Sequence, residues 1–490
     1  MTSPRPESGE GPGVRALFEQ NAKDRGSAEM KESDIRILEM EPYYSHEEAR
    51  TPLKFGAVVV ERTPYVHVRA RVENRRGQVA QGWGAIFVMD FWAFPSKIVA
   101  HEVRLQAMRA VIERYCRLLT SYGRYAHPID IFFDTEPDLA RLGEEVTREF
   151  ALAEAFPFLA SLVCASAADA ALHDAFGNVN GISAYDGYNA EYMTYDLSRY
   201  LGPRYAGRYP GDYLRPSYLP EVPAFHLIGG LDKLWEREVD DSDPQDGLPN
   251  SLEAWVERDG LTCLKVKLRG NDLEWDLERM IEVHRVAQEA QRRIGLHEVH
   301  YSADTNEQCE TPEYMVELMS RLRERSPETF AEVLYIEQPT ERDLALHRYD
   351  MRPVSALKPT ILDESLTTLR DFELAMELGW SGIALKTCKC QSADLIYVAR
   401  CEEENVPYTI QDLTNPGIAL IQSVGLAART RPLMGVEANS CQFFPATSKP
   451  EAMIHEGVFR RVNGHLSTAS TQGTGLGYQI GRIPRDVFQG

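Results

Sequence analysis

The sequence predicts an α/β fold in which a (β/α)8 barrel follows a smaller α+β domain. From about Pro223 onward, short apolar runs recur about every 25 to 40 residues, the spacing of one strand plus one helix. Eight such runs occur, and the segments between them have helical apolar spacing, as over 366–378. An open, doubly wound sheet is the alternative, but the count of eight and the lack of a glycine-rich first turn favour the closed barrel.

Nearly all of the predicted barrel strands end in a charged side chain. The carboxyl ends of parallel strands meet on one face of the sheet, and α/β enzymes carry their chemistry there. The sequence therefore places a candidate site at that mouth of the barrel. The predicted strand ends lie near Ile228, Lys267, Asp304, Glu337, Asp363, Lys386, Asp412 and Glu437.

Composition divides the chain into four parts. Residues 1–33 are rich in Pro, Gly, Glu and Ser, as in a flexible arm. Residues 34–150 are predicted to form the α+β domain. The barrel spans 151–440, interrupted by a Tyr- and Pro-rich stretch over 189–222 that we interpret as an irregular insertion or a subunit contact. The last part, 441–490, has little helical periodicity and is expected to return to the first domain.

Local patterns predict the elements of the first domain. Asn74 to Gly77 is typical of a hairpin turn. The segment 43–53, with His46 and Glu47, is predicted to be a loop, either a lid over a site or an ordinary solvated loop. Strands are predicted over 35–40, 57–61, 65–72 and 82–88, and helices over 100–122 and 149–176.

Charge and cysteine content exclude several classes of protein. The formal net charge is −21, which argues against nucleic-acid binding. No run of about 18 apolar residues predicts a membrane span, and the first residues lack the apolar core of a secretory signal. The 8 cysteines include no C-x-x-C pair, so we expect a cytoplasmic protein with reduced thiols. Cys388 and Cys390 alone would make a poor metal site.

Three carboxylates end consecutive predicted strands. Asp304, Glu337 and Asp363 together offer oxygen ligands to a hard divalent cation, with positions left open for substrate and water. Mg²⁺ suits this set better than zinc, because neither His nor Cys ends these strands. Each carboxylate taken alone could instead cap the helix that follows it.

Lysines lie on both sides of these carboxylates. Lys265 and Lys267 point to the same side of one strand, and Lys386 ends a strand on the opposite side of the barrel mouth. Lysines facing each other across a metal site can serve as acid and base on the two faces of one carbon. A Lys-x-Lys pair alone could be a solubility feature of an edge strand, but the shared register on five consecutive units favours a joint role.

The ordered motifs resemble the enolase superfamily, specifically its muconate-lactonizing-enzyme-like (mandelate racemase/muconate lactonizing enzyme) branch. Further likeness lies in a helix over 165–182 and in TPLKFG at 51–56 and GWG at 82–84, which resemble the capping domain of that family. The resemblance covers nearly the whole chain. The motifs are LKVK at 264–267, SADTN at 302–306, YIEQP at 335–339, LDES at 362–365 and ALKT at 384–387.

The resemblance implies a modified TIM (β/α)8 barrel closed by an N-terminal α+β capping domain. It further implies that the three carboxylates bind Mg²⁺, or Mn²⁺ in its place, and that a substrate carboxylate loses its α-proton to give an enediolate. Lys267 and Lys386 would be the acid/base pair, and Lys265 a cation beside the substrate carboxylate. Asn306 and Glu364 resemble positions that contact substrate or support the site.

Two strand ends narrow the choice within the superfamily. Strand seven carries Gln411 and Asp412 and no His, which disfavours a His-based sugar-acid dehydratase. Strand eight carries Glu437-Ala438-Asn439 where dipeptide epimerases have Asp-x-Asp, so a dipeptide substrate is in doubt. Asp412 and Glu437 could contact substrate or cap a helix.

The predicted function is Mg²⁺-dependent chemistry α to a carboxylate, with racemisation or epimerisation as the first choice. A cycloisomerase or a dehydratase would use the same residues. Alternatives of other classes are a non-catalytic binding or structural barrel and a metal-dependent aldolase or hydrolase. The expected partners are a small carboxylate substrate and further copies of the chain as a homo-oligomer, with no nucleic acid and no membrane.

Overall fold

The computed structural model describes residues 30–55 and 58–489, and for 53–55 and 58–60 it describes the backbone only. The arm predicted over 1–33 therefore lies outside the described residues, apart from 30–33. The described chain forms an antiparallel sheet with its helices and a closed parallel barrel.

The first domain is built on a three-stranded antiparallel sheet in the order β1-β2-β3. Apolar residues alternate along β2, so that one face of the strand is buried. The strands are β1 Ile35–Phe55, β2 Val58–Asn74 and β3 Val79–Phe87, and the helices after them are α1 Asp90–Ala93, α2 His101–Thr120 and α3 Pro128–Glu149.

A tight turn joins β2 to β3, as the sequence predicts. The Asn74 amide N–H donates to the Gln78 carbonyl at 2.9 Å, and Gly77 has φ +76°, a left-handed conformation that favours glycine. The strands predicted over 57–61 and 65–72 form one continuous strand, because β2 stays paired from Val58 onward.

The prediction of a loop over 43–53 is wrong, because β1 continues through this segment. It pairs with β2 up to Glu48 opposite Arg62 and, after a register shift, again from Leu53 to Phe55. His46 and Glu48 are exposed, whereas Glu47 is partly buried. Side chains therefore alternate between water and the protein along a two-stranded ribbon. The polar composition of this ribbon is similar to that of a loop, which explains the error.

Helix α4, Phe158–Asn180, forms the centre of the interface with the sheet. A Cβ on Gly84 would lie 2.1 Å from the Ala167 carbonyl oxygen, and one on Gly82 would lie 2.1 Å from the Ala175 nitrogen. Glycines on β3 and alanines on α4 thus let the two backbones approach closely.

The helix predicted over 149–176 begins too early. Helix α3 ends at Glu149, and Pro157 precedes the first turn of α4 with extended backbone. A proline fits that position because it lacks the N–H a helix interior needs. Helix α4 is long and apolar enough to cross a membrane, yet 94% of that window is buried inside the fold. It is thus a helix of the protein core.

The predicted barrel is confirmed. Eight parallel strands run in the order β4 to β11, and β11 pairs with β4 through Val436 opposite Ala224, which closes the cylinder. The strands are β4 Glu221–Ile228, β5 Cys263–Lys267, β6 His300–Asp304, β7 Val333–Glu337, β8 Thr360–Leu362, β9 Gly382–Lys386, β10 Tyr408–Gln411 and β11 Val436–Glu437. Between and around them lie α5 Ser198–Leu201, α6 Leu252–Asp259, α7 Leu273–Arg293, α8 Glu313–Arg325, α9 Pro327–Glu332, α10 Arg352–Ser355, α11 Leu369–Glu377, α12 Gln391–Glu404 and α13 Gly417–Arg429.

The insertion and the end of the chain both pack against the first domain. In the insertion, Arg199 on α5 pairs with Asp130 and Asp134 of α3, each at 2.7 Å. Near the end of the chain, the Phe488 ring lies 4.9 Å from Trp83. This end contains α14 Ser440–Phe443, α15 Lys449–Ala452, α16 Glu456–Phe459 and the strand β12 His465–Ser467, which pairs antiparallel with β4.

The close contact between β3 and α4 predicts that Gly84→Ala lowers the free energy of unfolding by roughly 2 to 3 kcal/mol, because the new methyl group overlaps backbone atoms that cannot move alone. Urea unfolding followed by circular dichroism measures the change. Gly230→Ala is the matched control, since no atom lies within 4 Å of the place its methyl group would occupy. Equal stability of the two variants would contradict the packing described.

Candidate active site

The charged strand ends meet at the carboxyl mouth of the barrel. Register places Lys267 beside Asp304, and Asp304 beside Glu337, at one level of the sheet. Asp363 follows β8 directly, and Lys386 ends β9. All five side chains are buried, so their charges interact in a medium that screens them far less than water does.

Lys265 lies at the centre of this group. Its Nζ is 2.8 Å from Glu337, 3.2 Å from Asp304 and 3.3 Å from Glu437, and it also donates to the Gln411 Oε1 at 3.3 Å. Burial alone would lower the pKa of Lys265, but the carboxylates around it raise that pKa well above its usual value. Lys265 is therefore a fixed cation.

Two further lysines hold the outer carboxylates. Lys267 Nζ lies 2.5 Å from Asp304 and Lys386 Nζ lies 2.7 Å from Asp363. Burial opposes ionisation of Asp304, but Lys267 and Lys265 lower its pKa to about 2. Burial likewise opposes protonation of Lys386, but Asp363 raises its pKa. Asp304 and Lys386 are thus held in their charged forms, and the two pairs stand on opposite sides of the mouth.

Glu337 lies between these pairs, buried among charges of both signs. Burial and then Asp304 raise its pKa to about 7, and Asp363 adds to the effect, against the attraction of Lys265. Its second oxygen accepts from the Gln411 Nε2 at 2.8 Å. Positive charge added near Glu337 would therefore stabilise its ionised form.

Gln338 positions the next strand end, a role that sequence reasoning did not assign. Its Oε1 accepts the Asp363 amide N–H at 2.9 Å, and its Nε2 donates to the Ser365 hydroxyl at 2.8 Å and to the Thr340 carbonyl at 3.0 Å. Its backbone has φ +30°. The only sequence signal was its place directly after Glu337.

Lys389 is a second residue that sequence reasoning missed. It is buried, and its Nζ donates to the Asp363 carbonyl at 2.5 Å and lies 3.1 Å from the Asp363 Oδ1. Residues 387–389 form a single helical turn after β9, which returns this lysine to the side of Lys386. The spacing of three residues between the two lysines was the available signal.

The first domain reaches the site through Trp92 of α1. Its indole Nε1 donates to Glu364 Oε1 at 3.0 Å, and its ring lies 4.8 Å from the Lys386 ammonium, as in a cation–π contact. Arg342 donates to the Trp92 carbonyl at 3.0 Å while pairing with Glu307. Sequence reasoning missed Trp92, because no spacing relates it to the strand ends.

Two buried carboxyls at the mouth carry an oxygen that makes neither a hydrogen bond nor an ion pair within the described residues. They are Glu364, through Oε2, and Asp412, through Oδ2. Burial and then Asp363 raise the pKa of Glu364 to about 8, and burial and then Glu437 raise that of Asp412. Both can exist as neutral acids that donate a hydrogen bond.

The remaining predicted residues lie at the edge of the group. The Asn306 amide N–H donates to Asp304 Oδ1 at 2.8 Å, with φ +44° at Asn306, so its backbone orients Asp304. Glu437 accepts from the side-chain amide of Asn439 as well as pairing with Lys265. The structure thus brings together all ten residues singled out from the sequence, although Asn306 contributes its backbone there.

The chemistry of the carboxylates fits a hard divalent cation. Asp304, Glu337 and Asp363 offer only oxygen donors, and each already lies within 2.8 Å of a lysine ammonium group, so positive charge is favoured beside each of them. In the present conformation the lysines contact these oxygens, and among residues 30–55 and 58–489 no three His, Cys, Asp or Glu side chains are arranged to hold a metal ion. Cys388 and Cys390 are buried, free thiols.

Residues 248–482 match the family described as enolase C-terminal domain-like. This match holds seven of the eight barrel strands, β5 to β11. The resemblance to the enolase superfamily inferred from the strand-end motifs is confirmed over these residues, and the match supports an enzyme of that superfamily. No curated protein sequence matches it significantly.

Solved structures show the same fold at low sequence identity. Muconate lactonizing enzyme from Pseudomonas fluorescens, complexed with muconolactone, is 16% identical with a TM-score of 0.58, covering 90% of this chain and 96% of that one. The dipeptide epimerase from Enterococcus faecalis, complexed with Mg and L-Leu-L-Tyr, is 17% identical with a TM-score of 0.56, covering 90% and 99%. The enolase from Bradyrhizobium, complexed with magnesium and mandelic acid, is 16% identical with a TM-score of 0.55, covering 91% and 95%.

The contacts of Lys389 predict a loss of stability on its replacement. Lys389→Met leaves the Asp363 carbonyl and carboxylate with one buried cation fewer, and we expect the free energy of unfolding to fall by about 3 kcal/mol. Urea unfolding measures this change in the free energy of unfolding. Lys358→Met is the control, because Lys358 is partly exposed and contacts the Ala331 carbonyl and the Phe330 ring rather than a buried carboxylate. A loss no larger than in the control would contradict a structural role for Lys389.

Proposed function

We propose that the protein catalyses Mg²⁺-dependent removal of the proton α to a carboxylate, and that the overall reaction is racemisation or epimerisation of a small carboxylic acid. One observation carries the proposal. Lys267 and Lys386 stand on opposite sides of the strand-end carboxylates, each paired with the outer carboxylate on its own side. An acid and a base so placed can serve both faces of one carbon.

Asp304, Glu337 and Asp363 are the residues that would hold Mg²⁺, with Mn²⁺ as a substitute. When bound, the dication supplies positive charge where negative charge develops on the substrate carboxylate. Lys265 stays protonated beside these residues and adds a second fixed positive charge. The magnesium in the complexes of several superfamily structures supports the choice of metal.

Proton transfer falls to the two outer lysines. The neutral amine of one lysine takes the α-proton, and the C–H bonding pair passes into an enediolate. The ammonium of the other lysine then donates a proton to the opposite face. The ion pair with Asp363 opposes deprotonation of Lys386, so sharing of Asp363 with a dication would bring the Lys386 pKa down toward a useful range.

The unpartnered oxygens of Glu364 and Asp412 support a substrate-binding role for both residues. A substrate with hydroxyl or amine groups beyond its carboxylate would satisfy them. Asn306 and Glu437, at the edge of the mouth, complete the proposed substrate contacts. The ligands of superfamily structures, muconolactone, a dipeptide and mandelic acid, support a small carboxylate as substrate. The free, buried cysteines support a reducing, cytoplasmic location.

The deciding experiment is deuterium exchange. A library of N-acyl amino acids, dipeptides, sugar acids and lactones is incubated with the protein and Mg²⁺ in heavy water and analysed by mass spectrometry. We expect deuterium at the α-carbon of a recovered acid, and no incorporation when EDTA is present. Exchange should be at least a hundredfold slower in Lys267→Met and in Lys386→Met. Lys358→Met is the matched control. Full exchange in either site variant would refute the acid/base pair.

The same experiment separates the alternatives. Loss of water from an acid would identify a dehydratase, and a change of ring structure at constant mass would identify a cycloisomerase. Exchange that is insensitive to EDTA would refute the role of Mg²⁺.

Metal binding gives a prediction that does not depend on turnover. Asp304→Asn removes one charged ligand, and we expect the affinity for Mg²⁺ to fall at least tenfold by isothermal titration calorimetry. Asp343→Asn, at an exposed acidic position, is the control. If Mg²⁺ bound equally to both variants, the proposed metal site would be wrong. If Mg²⁺ failed to bind the unaltered protein, a non-catalytic barrel would be favoured.

A further inference from the structure

A cavity of about 940 Å³ lies outside the barrel mouth. Helix α3 of the first domain, the insertion around α5, and the start of α11 with part of α12 enclose it. None of the strand-end residues described above lines it. Its volume is in the range of pockets that hold small organic ligands.

Glu136 on α3 faces this cavity without a partner. Its carboxylate makes no hydrogen bond or ion pair within the described part of the chain, although the side chain is only partly exposed. Burial raises the pKa of Glu136 to about 7. The next residue, Pro137, lies inside the helix and has no N–H, so the Phe133 carbonyl loses its usual helical donor. Glu136 is thus an acceptor at the wall of the cavity that has no donor within the described residues.

The rest of the lining favours a cation. Tyr195 already stacks against a cation, with the Arg199 guanidinium 4.1 Å from its ring centroid. Tyr397 is buried beside the cavity, and burial and then Glu136 raise its pKa, so the phenol lies within electrostatic reach of that carboxylate. Four acidic side chains line the cavity against two arginines, which makes its formal charge negative. The acidic residues are Asp134, Glu136, Asp196 and Asp371, and the arginines are Arg199 and Arg370.

We propose that this cavity binds a small organic cation, an alkyl- or arylammonium compound, with Glu136 as its counter-ion and aromatic rings as its walls. An organic cation held against aromatic faces gains from their quadrupoles, most of all where water is excluded. The site would reject carboxylates, because the acidic lining repels them. It is therefore distinct in ligand chemistry from the mouth of the barrel.

The test is calorimetric titration of the full chain at pH 8 with benzyltrimethylammonium, which carries a permanent charge and no carboxylate. We expect millimolar or tighter binding, and no binding of phenylacetate under the same conditions. Glu136→Gln keeps the shape of the side chain and should weaken binding roughly tenfold or more. Glu144→Gln is the matched control, since Glu144 lies on the same helix, is exposed and does not line the cavity.

A pH series adds a second test. Glu136 is mostly neutral in the folded protein below pH 6 and mostly charged at pH 8, because its pKa of about 7 lies above the usual 4.5. Affinity for the probe should therefore rise between pH 6 and pH 8 in the unaltered protein and stay flat in Glu136→Gln.

Urea unfolding shows whether the Glu136→Gln variant is intact. An acid with a raised folded-state pKa destabilises the fold above that pKa and has no such effect below its unfolded pKa. Removing the charge should therefore stabilise the protein at pH 8 and leave it unchanged near pH 4.

Three outcomes would overturn the proposal. The first is no binding of benzyltrimethylammonium at millimolar concentrations. The second is equal binding by Glu136→Gln and the unaltered protein, or equal binding of phenylacetate. The third is a change of the sedimenting mass when the probe is added or when Glu136 is replaced by Gln. Such a change would mean that the cavity faces a second copy of the chain.

Discussion

The charge balance around Lys265 is the constraint on which the rest of the site depends. Three buried carboxylates, Asp304, Glu337 and Glu437, lie within 3.3 Å of one ammonium group. Buried charges of one sign are tolerated only with partners. The further lysines compensate the outer carboxylates, and the raised pKa values of Glu364 and Asp412 reduce the remaining negative charge. The mouth is thus one electrostatic network, in which the charge state of each ionisable group depends on the charges of its neighbours.

This coupling favours a site whose charge changes during function. A proton leaving one lysine, or a cation arriving beside the carboxylates, alters the interaction energy of every other group at the mouth. Interactions of that kind are strong in a water-poor environment and require little reorganisation when they are held in place beforehand. Gln338 and Lys389 provide that support at Asp363, one through its side-chain amide and the other through its ammonium.

The barrel and its charged mouth could be predicted because both are local in the sequence. Each apolar run ends in its own charged residue, so register alone brings Lys267, Asp304 and Glu337 together. The ribbon formed by β1 and β2 could not be predicted, since its alternation of polar side chains resembles a loop. Trp92 and Lys389 were missed for a different reason, because their contacts depend on how an α-helix and a helical turn pack after the strands have formed.

The seam of the barrel has a consequence for folding. Strand β11 has two residues, and its pairing with β4 joins positions that are more distant in sequence than those of any other neighbouring pair in the barrel. Contacts between distant positions form slowly, because the intervening chain must first be ordered. Glu437 lies on this seam, so the last carboxylate beside Lys265 arrives only as the cylinder closes. Closing the barrel therefore also completes the set of carboxylates around Lys265.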